Sequence, residues 1–188
     1  MILRQYWKMM KNNLRVKYKK VIKENNKSFV ISLLSDFLKE NEYKNIGIYL
    51  DIRNEISMDN IIELLDANLY VPYMKDDGSK KIENACMLFK KYNKELLCFD
   101  DFNIRSSLGE VIDSNELDII IIPGICFNVN GYRIGYGKGC YDKALSNYNK
   151  TIIGVCYDNC FINDAFEEDH DIQVDYVFTE KRFIKIRG

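Results

Sequence analysis

"LDIIIIPGICFNVNGYRIGYGKGCYDKALSNYNKTIIGVCYD", residues 117–158, decides the fold. The unbroken run Ile119–Ile122 reads as a strand buried on both faces, the pattern of a parallel sheet rather than a half-exposed one. A glycine-rich loop follows, then a short helix over "YDKALSNY" (141–148) and a second apolar strand over "TIIGVCYD" (151–158). Parallel strands need such a crossover between them.

The same alternation extends outward. "VDYVFTE" (174–180) reads as the next strand. Upstream, "NIGIYLDI" (45–52) and "LYVPYM" (69–74) read as strands separated by a helix over "SMDNIIELLDAN" (57–68). "SFVISLLSDFLKENEY" (28–43) reads as a helix with Phe29, Leu33 and Phe37 on one face and Ser28 as N-cap. "KDDGSKK" marks a surface turn, and "ACMLF" and "ELLCF", flanking "KKYNK", are expected to form an edge hairpin. The expected fold is α/β: a single three-layer domain over 1–188, its mainly parallel, mixed sheet flanked by helices, Rossmann-like. In such sheets ligands bind where loops leave the carboxyl ends of the strands.

Bulk properties agree. A chain of 188 residues can bury about 70% of its unfolded surface. With 47% hydrophobic residues, 29% charged residues and a net charge of −1, no global attraction to nucleic acid or membrane is expected. Residues 1–23 carry Arg4, Lys8, Lys11, Arg15, Lys17, Lys19, Lys20 and Lys23 and no acid. A transit peptide is also basic, but this stretch lacks small residues and repeats Leu14, Tyr18 and Val21/Ile22 at helical spacing, so a first helix is expected. Residues 1–10 are allowed as a disordered or loosely packed extension. No apolar run spans a bilayer, and no signal-peptide core is present. Six cysteines without a CxxC pair, and a single histidine, His170, disfavour disulfide, zinc and haem frameworks. A reducing, cytoplasmic setting and a monomer are expected.

"GYRIGYGKGCYD" (131–142) fits neither common phosphate motif. Lys138 is followed by Gly139 rather than Ser or Thr, and Tyr132 stands where a Walker loop begins with glycine. The third dinucleotide glycine is Cys140, and the loop is not joined directly to its strand. Alternating Gly135, Gly137 and Gly139 nonetheless let backbone amides approach an anion. Arg133 and Lys138 add positive charge, and Asp142 adds a carboxylate able to hold Mg²⁺ on a phosphate. A glycine-rich surface turn with unrelated charges is the plain alternative.

The wider window "IIPGICFNVNGYRIGYGKGCYDKAL" (121–145) resembles the signature of the 5-formyltetrahydrofolate cyclo-ligase family through Pro123, Gly124, Phe127, Gly131, Arg133, Gly135, Gly137, Gly139, Tyr141 and Asp142. "KNNLR" (11–15), "GIYLDIRNEIS" (47–57) and "EDHDIQVDYVFTE" (168–180) match further family landmarks. The resemblance implies ATP- and Mg²⁺-dependent closure of 5-formyltetrahydrofolate to 5,10-methenyltetrahydrofolate, with release of ADP and phosphate. It implies ATP binding by Lys11, Asn12, Asn13, Leu14 and Arg15, and by Arg133, Ile134, Gly135, Tyr136, Gly137, Lys138, Gly139, Cys140 and Tyr141. Folate contacts would come from Leu50 and Glu55 and from Tyr136 to Cys140. Mg²⁺ would sit on Asp142 and Asp171, with Arg133 and Lys138 as the catalytic cations. Asp142→Ala is then expected to abolish turnover without unfolding the domain.

Five positions depart from the family pattern: Cys140 for Tyr, Asn128 for Asp, Tyr136 in a slot often filled by Arg, Cys160 for Gln and Ala165 for Pro. They motivate a rival reading, a family member that binds folate or nucleotide without turnover. A nucleic-acid binder using the basic amino terminus is opposed by the near-neutral charge. A nicotinamide-dependent dehydrogenase fails on the absent third glycine.

Overall fold

The computed structural model describes the backbone of residues 2–20 and 27–187, and the side chains of 5–20 and 30–187. Among the described residues, four α-helices, α1 (Ile2–Lys19), α2 (Lys27–Glu40), α3 (Asp59–Leu64) and α4 (Cys140–Ala144), accompany thirteen short strands. In chain order these are β1 (Asn45–Gly47), β2 (Asn68–Lys75), β3 (Cys86–Lys91), β4 (Leu97–Phe99), β5 (Arg105–Ser107), β6 (Val111–Ile112), β7 (Ile119–Pro123), β8 (Cys126–Asn128), β9 (Arg133–Ile134), β10 (Thr151–Val155), β11 (Phe161–Ile162), β12 (Tyr176–Phe178) and β13 (Phe183–Lys185). Helix α1 includes residues 2–10.

One eight-stranded sheet, in the order β13-β12-β10-β7-β1-β2-β3-β6, organises the chain. Its centre, β12 through β2, is parallel, and β13, β3 and β6 add antiparallel edges. From β1 the chain moves one way to β2, and from β7 the opposite way to β10. Right-handed crossovers in opposite directions put α3 and α4 on opposite faces, which gives the expected three layers. Helix α2 shares the face of α3, and its Phe37 packs 5.1 Å from the Tyr176 ring and 5.5 Å from the Phe178 ring.

Ile119–Ile122 are buried, as the uninterrupted apolar run requires. Phe127 fits under the sheet because residues 124 and 154 are glycine. A Cβ at Gly124 would come within 2.5 Å of its ring, and one at Gly154 within 2.4 Å. The buried stripe of α2 is Val30, Leu34 and Leu38, with Leu33 and Phe37 half-buried beside it, a rotation of the expected face. Leu14 and Tyr18 are buried on α1. Val21 and Ile22, and the side chains of Ser28 and Phe29, lie outside the described residues.

The expected hairpin between 85–89 and 95–99 does not form. Instead β3 pairs with β2 in register Tyr73↔Leu88, and β4 pairs with β5. The polar "KKYNK" belongs partly to the strand: Lys90 and Lys91 continue β3, and the Lys90 ammonium lies 3.6 Å from the Tyr73 ring centroid.

Asn128 explains one departure from the family pattern. Its side chain is fully buried, with Oδ1 accepting from the amides of Asn130 (3.1 Å) and Tyr132 (2.9 Å). Its Nδ2 donates to the Asp164 carbonyl (3.2 Å) and to Glu167 Oε2 (2.8 Å). Burial pushes Glu167 upward, but amides from its own backbone, Phe166, Asn130 and Asn128 overcome this and hold it below the usual carboxylate range. An Asp at 128 would face that carboxylate with no donor. Asn128→Asp is expected to lower stability by about 1–3 kcal/mol in urea unfolding, with partial recovery when Glu167→Gln is added.

Candidate active site

In chain order the central parallel strands are β1, β2, β7, β10 and β12, and in space β1 lies between β2 and β7. This is the 2-1-3-4-5 arrangement, whose connections reverse between the first and third strands. A cleft of about 1090 Å³ opens at that point, floored by Tyr49 and Leu50 beyond β1 and by Pro123, Gly124 and Ile125 at the end of β7. The strand expected over 45–52 leaves the ladder early for this reason. Only Asn45–Gly47 pair as β1, Arg53 takes a φ of 56°, and Glu55 Oε2 accepts from the Ile52 amide at 3.0 Å.

The glycine loop forms one wall. Gly137 (φ 82°) and Gly139 (φ 64°) adopt left-handed conformations that bulkier residues resist. A Cβ on Gly137 would approach the Arg15 guanidinium to 3.1 Å, so the bare backbone also makes room for α1. Arg15 Nε donates to the Gly135 carbonyl (2.9 Å), and its NH1 to Asn12 Oδ1 (2.6 Å). Burial lowers the Arg15 pKa from its ordinary value. Helix α4 spans five residues rather than the expected 141–148. The loop therefore presents glycine backbone and side-chain cations to the cleft more than a helix dipole.

Three cations hold acids around this wall. Lys11 Nζ lies 2.6 Å from Asp171 Oδ2 and 2.9 Å from Glu168 Oε1, with 9% of its side chain exposed. Arg133 NH2 bonds Asp142 Oδ2 at 3.1 Å, and Lys138 Nζ meets Glu83 Oε2 at 3.2 Å. Asp142 Oδ1 accepts from the Ile172 amide (3.3 Å), which ties the start of α4 to the segment carrying Asp171. Arg133 is 92% buried as a side chain, yet its Nε has no hydrogen-bond partner. A buried guanidinium N–H of this kind is costly to leave unsatisfied and suits an anionic oxygen.

Tyr136 sits between cations, with Arg53 4.5 Å and Lys19 5.1 Å from its ring centroid. Burial, reinforced by Glu55, pushes its phenol up to about 12. Burial also raises the Cys140 thiol, so this residue is a packing group rather than a ready thiolate.

The sequence of this chain matches the profile of the 5-formyltetrahydrofolate cyclo-ligase family over residues 2–180. The chain belongs to that family. A 5-formyltetrahydrofolate cyclo-ligase of Mycoplasma genitalium is 30% identical over 141 residues, 69% of this chain and 70% of the relative. One from Haemophilus influenzae is 30% identical over 128 residues, 64% of this chain and 66% of the relative. The solved structure of Aquifex aeolicus 5,10-methenyltetrahydrofolate synthetase shares the fold, with a TM-score of 0.79 at 22% identity over 97% of this chain and 93% of that one.

Most of the residues that the family signature singles out meet in the cleft: Lys11, Asn12, Arg15, Leu50, Glu55, Arg133, Gly135 to Asp142 and Asp171 all line it. Asn13, Leu14 and Ile134 do not. Asn13 is exposed, and Leu14 and Ile134 are buried in the core. Motif reading passed over Arg53, Phe102, Arg105 and Glu168, which also line the cleft. Phe102 and Arg105 arrive on the β4–β5 hairpin, and no local spacing announces them. His170 lies at the rim, with 68% of its side chain exposed.

Proposed function

We propose that the chain converts 5-formyltetrahydrofolate to 5,10-methenyltetrahydrofolate at the expense of ATP. The γ-phosphoryl group moves to the formyl oxygen, whose departure is otherwise unfavourable. N10 then attacks the formyl carbon, the carbon–oxygen bond breaks, and phosphate leaves with that oxygen and the N10 proton. The observation that supports this most is the buried Arg133, its Nε unsatisfied, beside glycines of left-handed backbone in the same cleft as Glu55.

Phosphoryl transfer asks a protein chiefly for alignment and charge neutralisation. Arg133 and Lys138 would meet charge developing on the transferred group, and Lys11 and Arg15 would hold the polyphosphate. Leu50 and Glu55 would hold the pterin, the carboxylate accepting paired N–H donors. Among the described residues no cluster of three or more acidic, histidine or cysteine side chains holds a metal unaided. That suits Mg²⁺, which takes one or two carboxylates and fills its sphere with water and phosphate oxygens. Asp142 and Asp171 each keep lone pairs beyond those already used, and are the residues to hold it. The ion would supply charge neutralisation on the transferring phosphate. No described helix is long and apolar enough to cross a membrane.

The test is an absorbance assay with purified protein, MgATP and 5-formyltetrahydrofolate. A near-ultraviolet rise that requires both ATP and Mg²⁺ is expected. Folate binding without any rise would instead support a binder that lacks turnover.

A further inference from the structure

Beside the cleft, an acid that the proposed reaction does not use is paired with Lys138. The connection between β2 and β3, residues 76–85, is braced by its own hydrogen bonds. Asp77 Oδ1 accepts from the Ser79 amide (2.9 Å), Asp76 Oδ1 from the Lys80 amide (3.0 Å), and Ser79 Oγ from Asn84 Nδ2 (3.2 Å). Asp101 Oδ2 anchors its base by accepting from the Asp76 amide at 2.8 Å. This connection reaches the glycine loop. The Glu83 carboxylate meets Lys138 Nζ at 3.2 Å, Lys143 donates to the Glu83 carbonyl, and Cys140 Sγ lies 4.0 Å from the Ile82 carbonyl.

Glu83 differs from the other acids around the phosphate wall. Asp142, Asp171 and Glu168 line the cleft on the same side as the cations they hold, and Asp142 and Asp171 are also tied to backbone amides. Glu83 comes from the opposite edge, on a hairpin connection, and about half of its side chain is exposed, as is that of Lys138. An ion pair with that much water around it is weak. A polyphosphate carrying several negative charges outcompetes one carboxylate for a flexible lysine.

We propose that Glu83 is a positioning residue acting through Lys138: its carboxylate competes with polyphosphate for the ammonium, so anion binding at the glycine loop breaks the side-chain tie between that loop and the β2–β3 connection. The inference rests on the phosphate reading of this loop and deepens it. It links anion occupancy at the loop to the segment carrying Ile82, which lines the cleft.

The probe is inorganic tripolyphosphate, titrated calorimetrically at two salt concentrations, together with steady-state kinetics in MgATP. Glu83→Gln is expected to bind tripolyphosphate about two- to fivefold more tightly, the range an exposed ion pair spans. It should lower KM for MgATP by a similar factor and leave kcat unchanged. Glu83→Asp, which keeps the charge, should return both values toward wild type. In a Lys138→Gln background, Glu83→Gln should have little further effect, since coupling through one contact is what a double-mutant cycle isolates. The proposal is overturned if Glu83→Gln leaves or weakens tripolyphosphate affinity, if its effect persists in full without Lys138, or if the wild-type chain binds no tripolyphosphate. Absence of methenyl product counts against the folate reaction instead, and leaves the tripolyphosphate titration interpretable.

Discussion

Asp142→Asn is expected to cut ATP-dependent formation of the methenyl product by about 10²–10³-fold, the usual cost of removing one electrostatic element of a transition-state site. Its melting temperature should stay within a few degrees of wild type. The amide keeps one oxygen for Arg133 NH2, now 3.1 Å from Oδ2, and gives up only the long 3.3 Å bond that Oδ1 accepts from the Ile172 N–H, while removing the charge that would hold Mg²⁺. Asp142→Ala is a poorer test than the sequence alone suggested. It would leave Arg133, whose side chain is 92% buried, with no acceptor at this position, and an unpaired buried charge destabilises the fold itself. Expected loss of stability for the alanine variant is roughly 1–3 kcal/mol. Turnover of Asp142→Asn within threefold of wild type would remove Asp142 from the metal site.

Lys11→Met should be the most destabilising of the single changes at the cleft. The ammonium sits between Asp171 and Glu168, at 2.6 and 2.9 Å, and joins α1 to a segment 157–160 residues away. Methionine fills most of the volume but leaves two carboxylates facing each other. Breaking a buried pair typically costs 3–5 kcal/mol; Glu168 and Asp171 are 21% and 12% exposed, so about 3 kcal/mol is expected. For a domain of this size that corresponds to a fall in melting temperature of roughly 6–12 °C. Urea unfolding gives the comparison directly. A variant within about 0.5 kcal/mol of wild type would mean the pairing adds nothing, as for many exposed ion pairs.

The centre of the fold was legible because its signals are local. Ile119–Ile122 announce a strand buried on both faces, and the glycine loop ends at a helix, as the structure has it. The edge was not. Lys90 and Lys91 look like turn residues by polarity, yet they continue β3, because β2 pairs with both and β6 with Lys90, and the Lys90 ammonium lies over the Tyr73 ring. Strand β1 was overextended for another reason. Tyr49 and Leu50 are as buried as strand residues, but past the Ile48 amide, which still bonds the Tyr70 carbonyl, the backbone leaves the ladder to build the cleft floor. Apolar pattern reports burial, not hydrogen-bond partners.

The site divides along the same line. Arg133, Lys138 and Asp142 fall within ten positions of one another and carry a recognisable spacing. Phe102 and Arg105 come to the cleft on a hairpin whose pairing is visible only in three dimensions. Leu14 and Ile134 show the converse: both sit inside matching motifs, yet their side chains serve the core.

Strand β13 carries a consequence for how the chain is made. The segment 183–187 covers the outer side of β12, Ile186 packs against Gly131 at the root of the glycine loop, and Arg187 pairs with Asp175 at 3.0 Å. These residues are translated after the loop they brace. A ribosome adding roughly 5–20 residues per second therefore presents the glycine loop seconds before its brace exists. The edge of β12 stays uncovered until residues 183–187 have followed it out of the exit tunnel, so the loop is completed after its own emergence rather than during it.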